Sequence, residues 1–374
     1  SGLGSRTAKL AFTTNDPDNA TVSYDLTCEG EAASSLLVNT LDDEDGTNPN
    51  KCSLREAIKA NNTGADFGGC ANPKGTINFD PILNGNTIVL TAAPEPITKN
   101  VVVSGPGASS LTISGNDTHR VFNIAATNNP VVTIEKLTLT QGLATNANGG
   151  AILSDSTGLL TIDSVTISNS TATGATFGIG SGGGIRASTA TVSNSTLSGN
   201  SAGSDGGGGI SAFTVTVSNS TIVLNRSNFG GGIRRVGSGS FVVNNTIVAG
   251  NTNAAGTTAN DISATFTSGS NNLIGTGGSG GLTNSTNGNI VGVTDINTVL
   301  NTVLEANSTL IQAGDPNTGT EPVLTHALVT GSQAINAGDN TLALDVNGTP
   351  LTTDQRGLTR IINTTVDIGS FEAQ

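Results

Sequence analysis

The side chains of this chain that could act on a substrate are few, and most of them are arginine or acid. Arg186 follows Gly182-Gly183-Gly184-Ile185, and Arg234-Arg235 follow Gly230-Gly231-Gly232-Ile233. A basic side chain beside an acidic cluster that holds a metal or neutralises a uronate carboxylate is what elimination from an acidic polysaccharide requires. Glu135, Lys136 and Asp163 are the remaining candidates, and glycoside hydrolysis needs two carboxyl groups facing one bond. The spacing sets Arg186 and Arg234 in one register, two units apart with Ser211 between them. It offers no stacked pair of carboxylates. His119 and His326 lie far apart and read as structural histidines. Tyr24 is the single tyrosine and there is no Trp, so aromatic platforms for sugar rings are scarce.

Metal and thiol chemistry have little to work with. Asp42-Asp43-Glu44-Asp45-Gly46 is an acidic turn in which Asp42, Asp43 and Asp45 are weak candidates for calcium, because their spacing is not that of a known calcium loop. No other cofactor is expected. Cys28, Cys52 and Cys70 have no metal-site spacing, and no His stands near any of them to make a catalytic thiol. A formal charge of -13 and a pI near 4.4 argue against nucleic acid and against anionic membrane surfaces as partners. No run approaches the length of a membrane-spanning helix. The absence of Met, position 1 included, fits a processed product whose N-terminal signal has been removed.

These residues are carried by a repeat. Thr133-Ile134-Glu135-Lys136-Leu137-Thr138-Leu139 returns in units starting at 161, 191, 216 and 241, at spacings of 28, 30, 25 and 25. Gly149-Gly150-Ala151-Ile152 and three Gly-Gly-Gly-Ile runs keep time with it. Two landmarks in fixed phase make a repeat. Each unit has short β-type runs and no 3.6-residue period, and it cannot bury its apolar side alone. Stacking like on like sets Ile162, Val192, Val217 and Val242 in one column and Ile152, Ile185, Ile210 and Ile233 in another. The fold expected is all-β: a right-handed parallel β-helix, a solenoid whose coils stack about 4.8 Å apart. Gly and Asn suit the corners because they accept positive φ.

Around the repeat four regions are expected. Residues 1–30 form an amphipathic β-ribbon in which Val22, Tyr24, Leu26 and Cys28 share one face, and which needs its own β-helix or a neighbouring molecule to lie on. Residues 31–75 form an N-terminal cap. In it Ser53 and Glu56 make a capping box, Leu54 and Ile58 share a helix face, and Asn61-Asn62 and Gly64 stop the helix. That helix would cover the open edge of the first coil. Residues 76–290 are the β-helix, with irregular coils after Ile262 and a Gly, Ser and Asn loop at 276–290. Residues 291–374 are read as C-terminal coils and a cap on the last coils, fixed by a buried network of Asp339, Asp354, Arg356 and Asp367.

Cys52-Ser53-Leu54-Arg55-Glu56-Ala57-Ile58, then Ser104-Gly105-Pro106-Gly107-Ala108, Thr353-Asp354-Gln355-Arg356-Gly357 and Val366-Asp367-Ile368-Gly369-Ser370-Phe371-Glu372, together resemble the secreted bacterial right-handed β-helix proteins named for their CSLREA motif. The resemblance covers roughly residues 36 to 374. It implies an extracellular or cell-surface protein, often adhesin-like and often followed by an anchor, with no established catalytic site. Relatives often carry a second Cys in the acidic loop where this chain has Thr47-Asn48, so the disulfide expected here is Cys52 with Cys70. Cys28 is then the odd one, either a small buried side chain or a bond to another chain. The chain ends at Gln374 with no anchor after the final motif, which implies an anchor removed or another means of attachment.

Two outward columns, Thr133/Thr161/Thr191/Thr216 and Thr138/Thr166/Thr196/Thr221/Thr246, are what an exposed strand face prefers. Triplets at Asn194, Asn219 and Asn307 have the glycosylation pattern, which corners of Asn, Ser and Thr produce by composition. The resulting expectation is an extracellular, non-catalytic structural protein that self-associates into a layer, sheath or fibre. A glycan-binding adhesin is the second reading, and a polysaccharide lyase using Arg186 and Arg234 the third.

Overall fold

The structure, a computed structural model, describes residues 35–71, 73–176, 178–307, 323–362 and 364–374 in full, and of 5–13 and 21–29 the backbone alone. It is a parallel β-helix. A 9-stranded sheet runs from Asn86–Val89 to Ile290–Val293, and a 13-stranded sheet begins at Leu36–Val38. A third, 3-stranded sheet stacks Leu143–Ala144, Thr171–Ala172 and Ser201–Ala202. Two ladders merge in the 13-stranded sheet because Ile185–Ser193 and Ile210–Ser218 each run through both without a break. The inward positions Ile134, Ile162, Val192 and Val217 are in register and fully buried. So are Ile152, Ile185, Ile210 and Ile233. Burial of each such side chain contributes about 1.5–3 kcal/mol.

One unit is shifted from its expected register. Val215 pairs with Phe241 and Val217 with Val243, so Val243, not Val242, continues the buried column. Ile247 stands where Thr246 was expected, opposite Thr221. The loop ahead of Phe241, residues 236–240, is three residues longer than the 213–214 stretch of the coil before it, which makes the offset between the two strands 26 where 25 was expected. A one-residue slip exchanges the two faces of a strand, and Phe241 and Val243 can be buried where Val242 and Asn244 stay half-exposed.

The corners explain the asparagines. Ser164, Asn194, Asn219, Asn245 and Asn271 all adopt φ between 46° and 55°, the left-handed region that Asn tolerates better than other non-glycine residues. At the next corner a second set points inward. Asn200, Asn225 and Asn251 are buried and stacked, each amide donating to the Oδ1 below it, and Asp261 ends the row. Each Oδ1 also accepts the backbone N–H of the residue above. The row thus satisfies backbone groups that a bend would leave orphaned.

At the N-terminal end, the helix Leu54–Thr63 starts on the Ser53/Glu56 capping box and stops at Gly64, running through Asn61 and Asn62. Leu54 and Ile58 are buried, and the helix packs on Leu36–Val38 and Thr76–Phe79. Cys52 and Cys70 are joined by a disulfide. At the far end Phe266, with Leu282 and Val291 from the region around the 276–290 loop, closes the main core.

Residues 323–374 pack on the last coils, around Leu273, Ile290 and Val293, and reach well beyond them. They run along the side of the 9-stranded sheet, where Thr166 Oγ1 donates to the Leu324 carbonyl, Thr196 Oγ1 donates to Gln355 Oε1, and Ser370 N donates to Thr221 Oγ1. Thr166, Thr196 and Thr221 are therefore at most 1% exposed, and Thr138, which donates to the Ala108 carbonyl, is equally buried, which corrects the reading of this column as an open face. Lower on the same side Val223, Ile247, Ala249 and Leu273 face outward into a second apolar core with Val299, Leu300, Ala334 and Ile368. A cap on the last coils was expected because the segment follows them in sequence; it packs there and also runs back along the side, over the outward apolar run that begins at Ile247.

Ser5–Thr13 and Thr21–Glu29 pair antiparallel as a separate two-stranded sheet. Positions 8, 10 and 12 stand opposite 26, 24 and 22. By register Ala8, Leu10 and Phe12 share one face of the ribbon with Leu26, Tyr24 and Val22, while Ala11 falls on the other and Cys28 stands opposite Arg6. The side chains of these residues lie outside the described set.

Candidate functional site

Parallel stacking brings two carboxyl groups together on adjacent coils. Asp163 pairs with Glu135, about 4.8 Å away at the backbone. This corrects the expectation that no two carboxylates share a register: both stand third in their units, and stacking sets third on third. Ser104 Oγ donates to Glu135 Oε1 at 2.6 Å, and Lys136 Nζ lies 3.6 Å from the same oxygen. Burial pushes the Asp163 carboxyl up to about 6, with Glu135 and Asp345 adding to the rise and Lys136 opposing it. Next to them a groove of about 360 Å³ is lined by Lys136 and Ser164 on the coil side and by Thr353 to Gly357 of the C-terminal segment on the other.

Chemically, a proton-holding carboxyl beside a second carboxyl and an ammonium can pass a proton to or from a bound hydroxyl. Against a hydrolase, Glu135 is already engaged by Ser104 and Lys136, and none of the residues lining the groove is aromatic. The raised pKa has a consequence for stability. From the usual carboxylate range up to about pH 6 the folded chain keeps a proton on Asp163 that the unfolded chain has lost, so stability falls as pH rises through this window. Asp163→Asn is expected to flatten that slope and to stabilise the protein at pH 7 by about 1–3 kcal/mol. Urea melts of both proteins at pH 4 and pH 7 measure it; equal differences at the two pH values contradict the assignment.

A second cluster lies on the outer side of the merged ladder. Arg186, Ser211 and Arg234 are stacked in register. Arg234 pairs with Asp205 at 2.8 Å and lies over the Phe229 ring at 5.7 Å. Arg235 turns away and donates to the Thr265 carbonyl. The Arg186 guanidinium donates to the carbonyl of Ala187. Burial lowers its pKa, while Asp155 and Asp205 act in the opposite sense.

The third cluster is structural. Arg356 pairs with Asp354 at 2.6 Å, stacks 3.5 Å from the centre of the Phe371 ring, and donates to the Glu372 carbonyl. Arg360, fully buried, donates to the carbonyls of Gly369 and Asp367, with Glu372 Oε2 3.8 Å from its Nη1. Burial pushes the Glu372 carboxyl up to about 7, with repulsion from Asp367 adding and Arg360 opposing. Asp367 accepts from Asn336 N and Ala373 N. Asp339 stands apart, capping the turn Asn340–Leu342. Arg360 and Glu372 are the members that the sequence did not single out.

The remaining candidates are placed as follows. Asp43 is held by two hydrogen bonds from Arg55, Asp42 by Lys51 and Asp45 by Lys59. The three carboxylates thus diverge onto separate cations, and among the described residues no group of three or more His, Cys, Asp or Glu could hold a metal. His326 is buried with both ring nitrogens engaged, Nδ1 with the Asn301 carbonyl and Nε2 with Ser198 Oγ. Asn194 and Asn219 are buried, so neither offers an amide to a glycosylating enzyme in the folded chain. Asn307 spends its amide on Thr325. Among the described residues, no helix is long and apolar enough to cross a membrane.

No family model, curated protein or solved structure matches the chain.

Proposed function

We propose that this chain is an extracellular, non-catalytic structural protein that self-associates through its N-terminal ribbon, as the building block of a surface layer, sheath or fibre. The observation that carries the reading is the ribbon: a two-stranded sheet with most of its apolar positions on one face, hydrogen-bonded to none of the β-helix strands among the described residues. Such a ribbon is marginal alone, and a second copy's sheet edge supplies what it lacks by strand addition. The disulfide supports an oxidising compartment. The resemblance to secreted CSLREA-motif proteins supports the surface location.

The test is deletion of residues 1–28. The full chain is expected to elute with a mass well above one copy in light scattering, and the deleted chain as a monomer with unchanged far-UV circular dichroism. Equal assembly of both would falsify the role given to the ribbon.

A further inference from the structure

Between residues 164 and 260 the chain carries Arg186, Arg226, Arg234 and Arg235 against the single acid Asp205. This stretch is cationic in a protein whose net charge is -13. Three of the four arginines fall near one outer face, and that face has more than charge. Ser211, between Arg186 and Arg234, is fully buried and its Oγ has no hydrogen-bond partner. Phe213, two residues further on the same strand and so on the same face, is 46% exposed, and Phe229 is 52% exposed. A strand rise sets Phe213 about 7 Å from Ser211. The chain has only 10 Phe, one Tyr and no Trp, so two open rings beside the arginine column are a concentration of its scarce aromatic surface.

The two arginines are not equivalent. Arg234 is neutralised by Asp205 and covered by Phe229. Arg186 belongs to none of the ion pairs among the described residues. Its one hydrogen bond goes to the neighbouring carbonyl of Ala187, and the residue is half-buried. A guanidinium has five donors in a planar fork suited to a carboxylate. Partial burial makes an unmatched one costly and a matched one strong.

We propose that this face is a binding site for an anionic sugar, a hexuronate unit of a polysaccharide. The sugar carboxylate takes the free edge of Arg186, whose neighbour in register, Ser211, is buried with its Oγ unpaired. The apolar face of the sugar ring lies on Phe213. Arg234, held by Asp205, shapes one wall and adds charge without being consumed. The carboxylates whose charge acts on Arg186 are Asp155 and Asp205, the second of them paired with Arg234, and the role assigned to the site is binding, not cleavage. The site lies on the β-helix itself, so it is independent of the ribbon and of self-association.

The probes are a hexuronate oligosaccharide and the same oligosaccharide fully methyl-esterified, titrated calorimetrically into the full chain at 150 mM salt, a concentration at which exposed charges are screened beyond about 8 Å. The acid form is expected to bind, and the ester to bind at least about tenfold more weakly, the loss of one charge-assisted contact. Arg186→Gln is expected to weaken the acid form about tenfold or more, and Phe213→Ala about threefold or more, with thermal midpoints unchanged. Arg226→Gln, on the third sheet's edge, should leave binding as it was. Absence of binding by either sugar form overturns the proposal. So does equal binding of acid and ester, or full affinity in Arg186→Gln.

Discussion

Replacing Arg360 by Met is expected to destabilise the protein by about 3–5 kcal/mol and to free the C-terminal segment from the side of the β-helix. Arg360 is fully buried and reaches three elements at once: Nη2 donates to the carbonyls of Gly369 and Asp367 and lies 3.5 Å from Asn219 Oδ1 on a β-helix corner. Removing it leaves those carbonyls unpaired and Glu372 without its buried counter-charge. Met fills the volume, so what is lost is polar. Release of the segment would uncover Val223, Ile247, Ala249 and Leu273, a patch that binds hydrophobic dyes and promotes association. The measurements are a urea melt and dye fluorescence at concentrations below the melt. A loss under about 1 kcal/mol with no gain in fluorescence means that the segment is held by its threonine and asparagine contacts instead.

Asn225→Ala is expected to cost about 4 kcal/mol, with the damage centred on the middle coils. Asn225 Nδ2 donates to the carbonyls of Leu197 and Val223 and to Asn251 Oδ1, while its own Oδ1 accepts from Asn200 N and Asn200 Nδ2. Alanine orphans the Asn200 N–H and the Leu197 carbonyl and opens a cavity. Each buried unpaired group costs about 1–3 kcal/mol. Hydrogen exchange should quicken most in the strands Thr196–Ser198 and Thr221–Val223, because coils in a stacked repeat depend on their nearest neighbours. Thr258→Ala, on an exposed turn, should stay within about 0.5 kcal/mol of the parent. If the two substitutions prove equal, the asparagine row has no energetic role.

How much of this was legible in the residues depended on whether one strand decided it or two segments did. The inward columns were readable because alternation and repeat spacing alone fix them: Ile162, Val192 and Val217 stack as their units align. The last unit slipped because composition cannot show where a loop takes extra residues. Only the inward fit of Phe241 and Val243 settles it. The threonine column was misjudged for a different reason. Threonine suits an exposed strand and also suits a buried one that hydrogen-bonds to a covering segment, so Thr166 and Thr196 alone do not tell the two apart. The signal lay lower in the same column, where Thr221 gives way to Ile247 and Leu273. An outward position that turns apolar for consecutive coils needs a cover.

The candidate site follows the same division. Arg186, Ser211 and Arg234 were placed by spacing alone, and the pairing of Glu135 with Asp163 was equally available from it. The rise of the Asp163 pKa was not, since it depends on Asp345 and on burial beside a segment far along the chain. Arg360 and Glu372 became visible only once that segment had its place. A charged pair in a polar stretch reads as solvated until the fold buries it.

The central claim, self-association of an extracellular rod through its ribbon, is tested most directly by the mass and shape of the purified chain in solution. Light scattering and negative-stain microscopy would be run on the full chain with and without reductant, and on Cys28→Ser. Regular polymers are predicted. Their loss on reduction and in Cys28→Ser alike would place Cys28 at the joint between copies, while their persistence would leave the ribbon's strands as the joint. A strictly monomeric rod at all concentrations contradicts the account.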